Sequence, residues 1–281
     1  MTPREQAEAF IKEGRLDDAA EHLKAAIRKE PANADLRVFL FQLLSINGEW
    51  DKATTQLQVA AELSPANGIM SQVCGPALLC EKMRENVFNG KRTPLIFGEP
   101  EEWVGLMVEA GRLFGQGHRD KASEVRAKAL DLAEPVPGSI NGQPFEWLTD
   151  ADDRMGPIFE AIVDGKYYWI PMGRVRSVRA EPPTDLRDLI WQPASFQWVT
   201  GGESVGLLLA RYPGSHLSGD PSIRMARKTE WNEHDGGMFT GLGQREFATD
   251  AGEFPVLEVR EILLGDQSEQ PADPAQAQQE A

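Results

Sequence analysis

The sequence predicts an α+β chain in two parts. A helical-repeat domain covers residues 1–134, and a compact β-rich domain covers residues 144–265. Three observations predict it. A pattern recurs in the first half with a period of 34 residues. A break rich in proline and glycine follows at 135–143. Beyond it the apolar spacing changes from that of a helix to that of a strand.

The repeat opens at Gly14-Arg-Leu-Asp-Asp-Ala19 and returns at Gly48-Glu-Trp-Asp-Lys-Ala53. Leu23 then matches Leu57, Ala26 matches Ala60, and Pro31 matches Pro65, all at the same spacing. A third copy starts at Gly117 and reaches Ala122 and Ala129, with its closing Pro135 one residue late. This pattern resembles the tetratricopeptide repeat. Glycine permits the tight turn between two antiparallel helices. Ala19, Ala53 and Ala122 let those helices approach closely, and proline ends the second helix of each pair or starts the next. Ala7 and Phe10, Leu40 and Leu44, and Ala110 and Leu113 fit the first helices. Phe41 departs from the pattern, because a small residue is usual there. An insertion at 67–102 separates the second and third copies. It holds the loop-like runs Gly90-Lys-Arg-Thr-Pro and Gly98-Glu-Pro-Glu-Glu and a further degenerate helix over Cys74 to Val87.

Glu134-Pro-Val-Pro-Gly138 and Asn141-Gly-Gln-Pro144 mark the boundary and read as a linker. The first hairpin after it joins Ile158–Val163 to Lys166–Ile170 through Asp164-Gly165, whose residues suit positive φ angles. A second joins Ser195–Val199 to Ser204–Tyr212. A third joins Arg245–Ala248 to Phe254–Val259. The last stretch, 266–281, carries acids and no base and reads as a disordered acidic tail.

Composition excludes several function classes. The net charge is −15. That disfavours non-specific binding to nucleic acid or to anionic membranes. The start of the chain lacks the apolar core of a signal peptide, and no stretch approaches a membrane span. The expectation is a cytoplasmic protein. Cys74 and Cys80 read as small apolar packing groups rather than a redox pair. The four histidines are scattered, and neither a nucleophile elbow nor a phosphate loop is present. No cofactor, metal or catalytic residue is expected. Gly236-Gly237 and Gly241-Leu-Gly243 read as turns. Five tryptophans, Trp147, Trp169, Trp191, Trp198 and Trp231, crowd into the second half and read mainly as core.

Several runs together resemble one family, over nearly everything before the tail. They are Leu36-Arg-Val-Phe-Leu-Phe-Gln-Leu-Leu44, Gly48 to Leu57, and Arg92-Thr-Pro-Leu-Ile-Phe-Gly-Glu-Pro-Glu-Glu-Trp103. Asp152-Asp-Arg-Met-Gly-Pro157, Tyr167-Tyr-Trp-Ile-Pro171 and Pro182-Pro-Thr-Asp-Leu-Arg-Asp-Leu-Ile-Trp191 follow. Arg211-Tyr-Pro-Gly-Ser215, Thr229-Glu-Trp231 and Gly241-Leu-Gly-Gln-Arg245 complete the set. In this order they resemble the ImpE/TagJ family of type VI secretion accessory proteins. The resemblance implies a non-enzymatic adaptor that binds the N-terminal helix of the small sheath subunit. It also implies a link to the sheath-disassembling ATPase.

A partner helix fits the concave face of stacked helix pairs. Matching the chain to the repeat places Arg4, Glu8, Ile11 and Lys12 on that face in the first unit. Val38, Gln42 and Ser45 follow in the second, and Met107 and Phe114 in the third. Gln42, a lone amide in an apolar run, either faces the groove or bonds internally. An alternative puts the partner on the β-rich half, as a strand added at a sheet edge. Two rival functions remain. One is a metal-dependent or acid/base enzyme built on Asp150, Asp152 and Asp153 beside Arg154, with Glu146 and Glu160 near them. The other is a self-associating assembly scaffold.

Overall fold

The computed structural model describes residues 1–265. The expected acidic tail lies outside the described residues.

The first half is helical. Helices α1 (Pro3–Lys12) and α2 (Leu16–Lys29) form one hairpin, and α3 (Ala34–Ile46) and α4 (Trp50–Leu63) the next. Helix α5 (Gly68–Phe88) and a short strand β1 (Leu95–Ile96) precede the third hairpin, α6 (Glu102–Gly115) and α7 (Arg119–Leu132). Local chemistry starts these helices. The Thr2 hydroxyl accepts from the Glu5 amide while the Glu5 carboxylate accepts from the Thr2 amide, a reciprocal cap. Asn33 caps α3 by accepting from the Leu36 amide at 3.2 Å. The repeat glycines supply the turns, and at Gly48 (φ +72°) a Cβ would lie 2.3 Å from the His216 ring. Ala19, Ala53 and Ala122 are fully buried, as the close approach of paired helices requires.

Helix α3 is buried continuously from Phe39 to Ile46. It packs against α2 and α4 on one side and against a 3-10 turn at Leu186–Leu189 on another. A helix covered on several sides carries apolar residues all round, which is why bulky Phe41 is accommodated. The insertion helix is longer than expected. It runs for 21 residues and contains Pro76. The proline removes one intrahelical bond, to the Gln72 carbonyl. Gln72 is itself exposed to solvent.

The second half begins earlier than expected. The stretch expected as a linker holds β2 (Gly138–Ile140) and leads into β3 (Gln143–Phe145). Asn141 (φ +50°) and Gly142 (φ +81°) form the tight turn between them, so the proline–glycine break is a hairpin. Then come β4 (Leu148–Asp150), β5 (Ile158–Val163), β6 (Lys166–Pro171), β7 (Val175–Ala180), β8 (Trp191–Trp198) and β9 (Glu203–Leu209). A one-turn helix α8 (Pro221–Arg224) leads to β10 (Thr229–His234), β11 (Met238–Gly243), β12 (Glu246–Thr249), β13 (Gly252–Pro255) and β14 (Glu261–Leu264).

Nine strands form one sheet in the order β1-β6-β5-β9-β8-β7-β14-β2-β3. Every pair in it is antiparallel except β1 with β6. The β5–β6 turn is the expected Asp164-Gly165, with φ of +49° and +70°. The β8–β9 hairpin starts four residues before the expected Ser195, at Trp191. The β12–β13 hairpin ends at Pro255, because Val256–Glu258 turns into a 3-10 helix. The β10–β11 pair was not expected at all. Its glycines suggested turns, and Gly236-Gly237 do make the turn, but Gly241 and Gly243 sit within β11.

Two apolar cores result. One lies within the strand-rich half, around Phe159, Phe196 and Phe247. The other is shared. It runs from Ala7 and Leu23 through Phe41 and Leu78 to Trp169, Trp191 and Leu209. The helices and the sheet are therefore packed on one another over a common interior.

Candidate functional site

The nine residues expected on the concave face do not share one surface. Arg4, Glu8, Ile11 and Lys12 on α1 and Gln42 on α3 line a single open groove of about 320 Å³, together with Phe39. The opposite wall belongs to the strand-rich half: Pro183 to Leu186, Leu189 and Arg227. Arg4 pairs with Glu8 at 2.9 Å and lies over the Phe39 ring. The Gln42 side chain makes no hydrogen bond among the described residues, so its amide faces the groove. Val38, half-buried, is not part of the lining.

The expectation for the other three is corrected. Ser45 is fully buried, its hydroxyl donating to the Phe41 carbonyl at 2.9 Å. Met107 is also fully buried, packed under Gly156. Phe114 meets the His234 ring edge-on at 5.0 Å, with Arg119 and Arg154 over it. The physical reason is the shared core. The strand-rich half fills the hollow that these residues would have offered to a partner.

A network of buried charges fixes that docking. Arg84 on α5 donates two bonds to Glu160 on β5, at 2.7 and 2.8 Å, and one to the Arg211 carbonyl. Arg245 bonds both Asp150 and Glu160. Tyr167 donates to Glu160, and Trp169 donates to the Tyr167 hydroxyl at 2.8 Å. Trp191 donates to Glu81 at 2.9 Å. Burial would raise the Glu160 pKa, but Arg84 and Arg245 outweigh it and hold the carboxyl below its usual range. For Asp150 burial wins over Arg245, and its pKa is pushed up to about 7.

Arg211 differs from its neighbours. It forms no ion pair among the described residues. Its guanidinium donates to the Ser45 and Ile46 carbonyls at 3.0 and 2.8 Å and to the Arg224 carbonyl at 2.6 Å. The first two belong to the carbonyl end of α3, where a cation is favoured, and the Ser45 carbonyl also accepts from the Gly48 amide at 3.1 Å. Burial lowers its pKa to about 10. Periodicity gives no sign of these residues. A sequence clue does exist, in arginines and glutamates placed inside otherwise apolar runs, such as Glu160 within Ile158–Val163.

Of the carboxylates weighed for catalysis, Asp150, Asp152, Asp153 and Glu160 have structural work, while the Glu146 side chain is exposed and makes no bond among the described residues. Asp150 holds Arg245. Asp152 holds Arg154 at 2.8 Å and accepts from the Gly241 amide at 2.9 Å. Asp153 pairs with Arg126 and accepts from the Phe239 amide at 2.6 Å. Among the described residues no group of three histidines, cysteines or carboxylates is placed to hold a metal. Cys74 and Cys80 are free, buried thiols, and burial pushes their pKa values up to about 11 and about 12. Of the five tryptophans, Trp169, Trp191 and Trp198 are buried, while Trp147 and Trp231 are partly exposed. A second opening, an apolar trough of about 700 Å³, lies between α5 and strands β5, β8 and β9. Ile69 and Val205 on its rim are 78% and 75% exposed.

The comparisons with known proteins agree with this architecture. The family model described as ImpE protein matches residues 142–263, and a tetratricopeptide repeat model matches residues 10–69. A type VI secretion system accessory component, TagJ of Pseudomonas aeruginosa, is 46% identical over 256 residues, which is 91% of this chain and 90% of that protein. The chain belongs to the ImpE/TagJ family. A crystal structure of a Vibrio parahaemolyticus protein has the same fold, with a TM-score of 0.85 at 23% identity, over 93% of this chain and 98% of that one. Among the described residues of this ImpE/TagJ family member, no helix is long and apolar enough to cross a membrane.

Proposed function

We propose that this protein serves the type VI secretion machine as a non-enzymatic adaptor in the cytoplasm. In this reading it binds the N-terminal helix of the small sheath subunit and links to, or modulates, the sheath-disassembling ATPase. Its relationship to an accessory component supports the setting. One observation carries the binding mode: Arg4, Glu8, Ile11, Lys12 and Gln42 share one open groove. Ile11, Phe39, Leu186 and Leu189 give that groove apolar contact, and Arg4, Glu8, Lys12 and Asp185 surround it with charge. An amphipathic helix laid along α1 would bury its apolar stripe there and set its register by the charges.

The test is a titration of the full chain with a synthetic peptide of the sheath subunit's N-terminal helix. Lys12→Glu combined with Gln42→Arg should weaken binding roughly tenfold or more. Circular dichroism and thermal midpoint of the variant serve as the fold control. Unchanged affinity in a folded variant would move the helix to the trough beside α5.

A further inference from the structure

Strand β10 has an open side that can be read bond by bond. It pairs with β11 in the register Glu230↔Leu242, Asn232↔Thr240 and His234↔Met238, and these two strands form a sheet of their own. The far side of β11 is closed by the chain itself. The Asp153 amide donates to the Phe239 carbonyl at 3.1 Å, and the Asp153 and Asp152 carboxylates accept from the Phe239 and Gly241 amides. The Tyr212 amide donates to the Gly243 carbonyl at 2.9 Å.

Backbone groups of successive strand residues point to opposite sides. Phe239, Gly241 and Gly243 face away from β10, so Met238, Thr240 and Leu242 face it. Their partners are His234, Asn232 and Glu230. Thr229, Trp231 and Glu233 must then point their N–H and C=O groups outward. Among the described residues these outward groups have no hydrogen-bond partner.

Such an edge is normally shortened, covered or twisted away. Here its side chains are also exposed, from Glu230 to Glu233. The ring of Trp231 rests on Tyr212 at 5.5 Å and is 38% exposed, leaving an apolar platform beside the edge. Glu230, Glu233 and Asp235 make the region acidic. Lys228 neutralises part of this, since its ammonium pairs with Glu230 as well as with Asp220 at 2.7 Å each, and Glu233 and Asp235 remain without an ion pair among the described residues. The charge selects the occupant. The chain's own residues 266–281 carry acids and no base, and a second copy would bring another acidic strand.

We propose that β10 is a docking edge for an extended, lysine- or arginine-bearing segment of a partner protein. The segment adds as an outer strand on the N–H and C=O groups of Thr229, Trp231 and Glu233. Its basic side chains lie against Glu233, on the sheet face that Trp231 also occupies. Main-chain bonds supply the attachment in this mode, and side chains supply the choice of partner.

The experiment titrates the full chain with a blocked octapeptide that alternates lysine and valine, read by backbone amide shifts. Two further peptides are compared: the same one N-methylated at alternate residues, and one that alternates glutamate and valine. The lysine peptide should bind and shift the Thr229, Trp231 and Glu233 amides. N-methylation should weaken it roughly tenfold or more, because strand addition needs those N–H groups. Glu233→Pro should do the same, since proline removes an outward N–H and leaves the β11 ladder intact. The double variant Glu230→Lys, Glu233→Lys should prefer the glutamate peptide. Any of four results overturns the proposal: no binding of the lysine peptide, equal binding of its N-methylated form, equal binding of the glutamate peptide by the unaltered chain, or dimerisation through β10 in sedimentation equilibrium. If Glu233→Pro fails to fold, the N-methylated peptide on the unaltered chain still decides.

Discussion

The inner faces of the first and third helical hairpins share a pattern but not a fate. In the first, Arg4, Glu8, Ile11 and Lys12 border an open groove. In the third, Met107 is sealed beneath Gly156, and Phe114 rests against His234. A concave repeat surface is a docking face by construction. This chain has used most of that face to hold its own second half and has left one end free. A matched repeat position therefore identifies a surface that will be covered, without saying by what.

The largest effect should come from breaking the covered end. Glu160 balances Arg84 and Arg245, both buried with it. Glu160→Gln should lower the unfolding free energy by about 3–5 kcal/mol, read by urea denaturation, because two buried cations lose the carboxylate they share, leaving Arg84 only Glu81 at 3.4 Å and Arg245 only Asp150. A loss no greater than that of a surface ion pair, about 1 kcal/mol, would mean the network does not hold the halves together. A smaller effect should follow in the helical layer. Ala53→Leu overpacks α3 against α4 at a fully buried site and should cost about 1–3 kcal/mol. A fully stable variant would show that the paired helices have room to spare.

The smallest effect is a dependence on pH at the junction itself. His216 packs against Trp50 and Gly48, with Glu85 at 3.5 Å. Burial, followed by Arg211, lowers its pKa from 6.5 to about 4, with Glu85 opposing. Between those values the unfolded chain binds a proton that the folded chain refuses. The stability tied to the neutral ring is thus present above pH 6.5 and is lost as pH falls toward 4. His216→Gln should flatten the change in urea midpoint between pH 7 and pH 5. An identical slope in the variant would place the titration elsewhere.

The helical pairs were legible because each depends on contacts within 34 residues. The Asp164-Gly165 hairpin was legible for the same reason. The α1 side of the groove could also be read, since the repeat fixes which way α1 faces. What covers the rest could not. Arg84 and Glu160 are 76 residues apart in sequence and meet only when α5 crosses the sheet. Asn141-Gly142 was read as a break because turn residues look the same between two strands as between two domains. Strand β10 is not legible in the sequence, because Glu230 to Glu233 are exposed on both faces and lack the usual alternation.

The bond from Arg211 to the end of α3 has a consequence for synthesis. The amides of Asn47, Glu49 and Gly48 cap the Leu43, Leu44 and Ser45 carbonyls locally, but the Ile46 carbonyl finds its donor 165 positions later. As the chain leaves the ribosome, the Ile46 carbonyl lacks this donor until β9 has followed. The first repeats are thus translated early and completed late, and chaperones would meet an unfinished hollow during that interval.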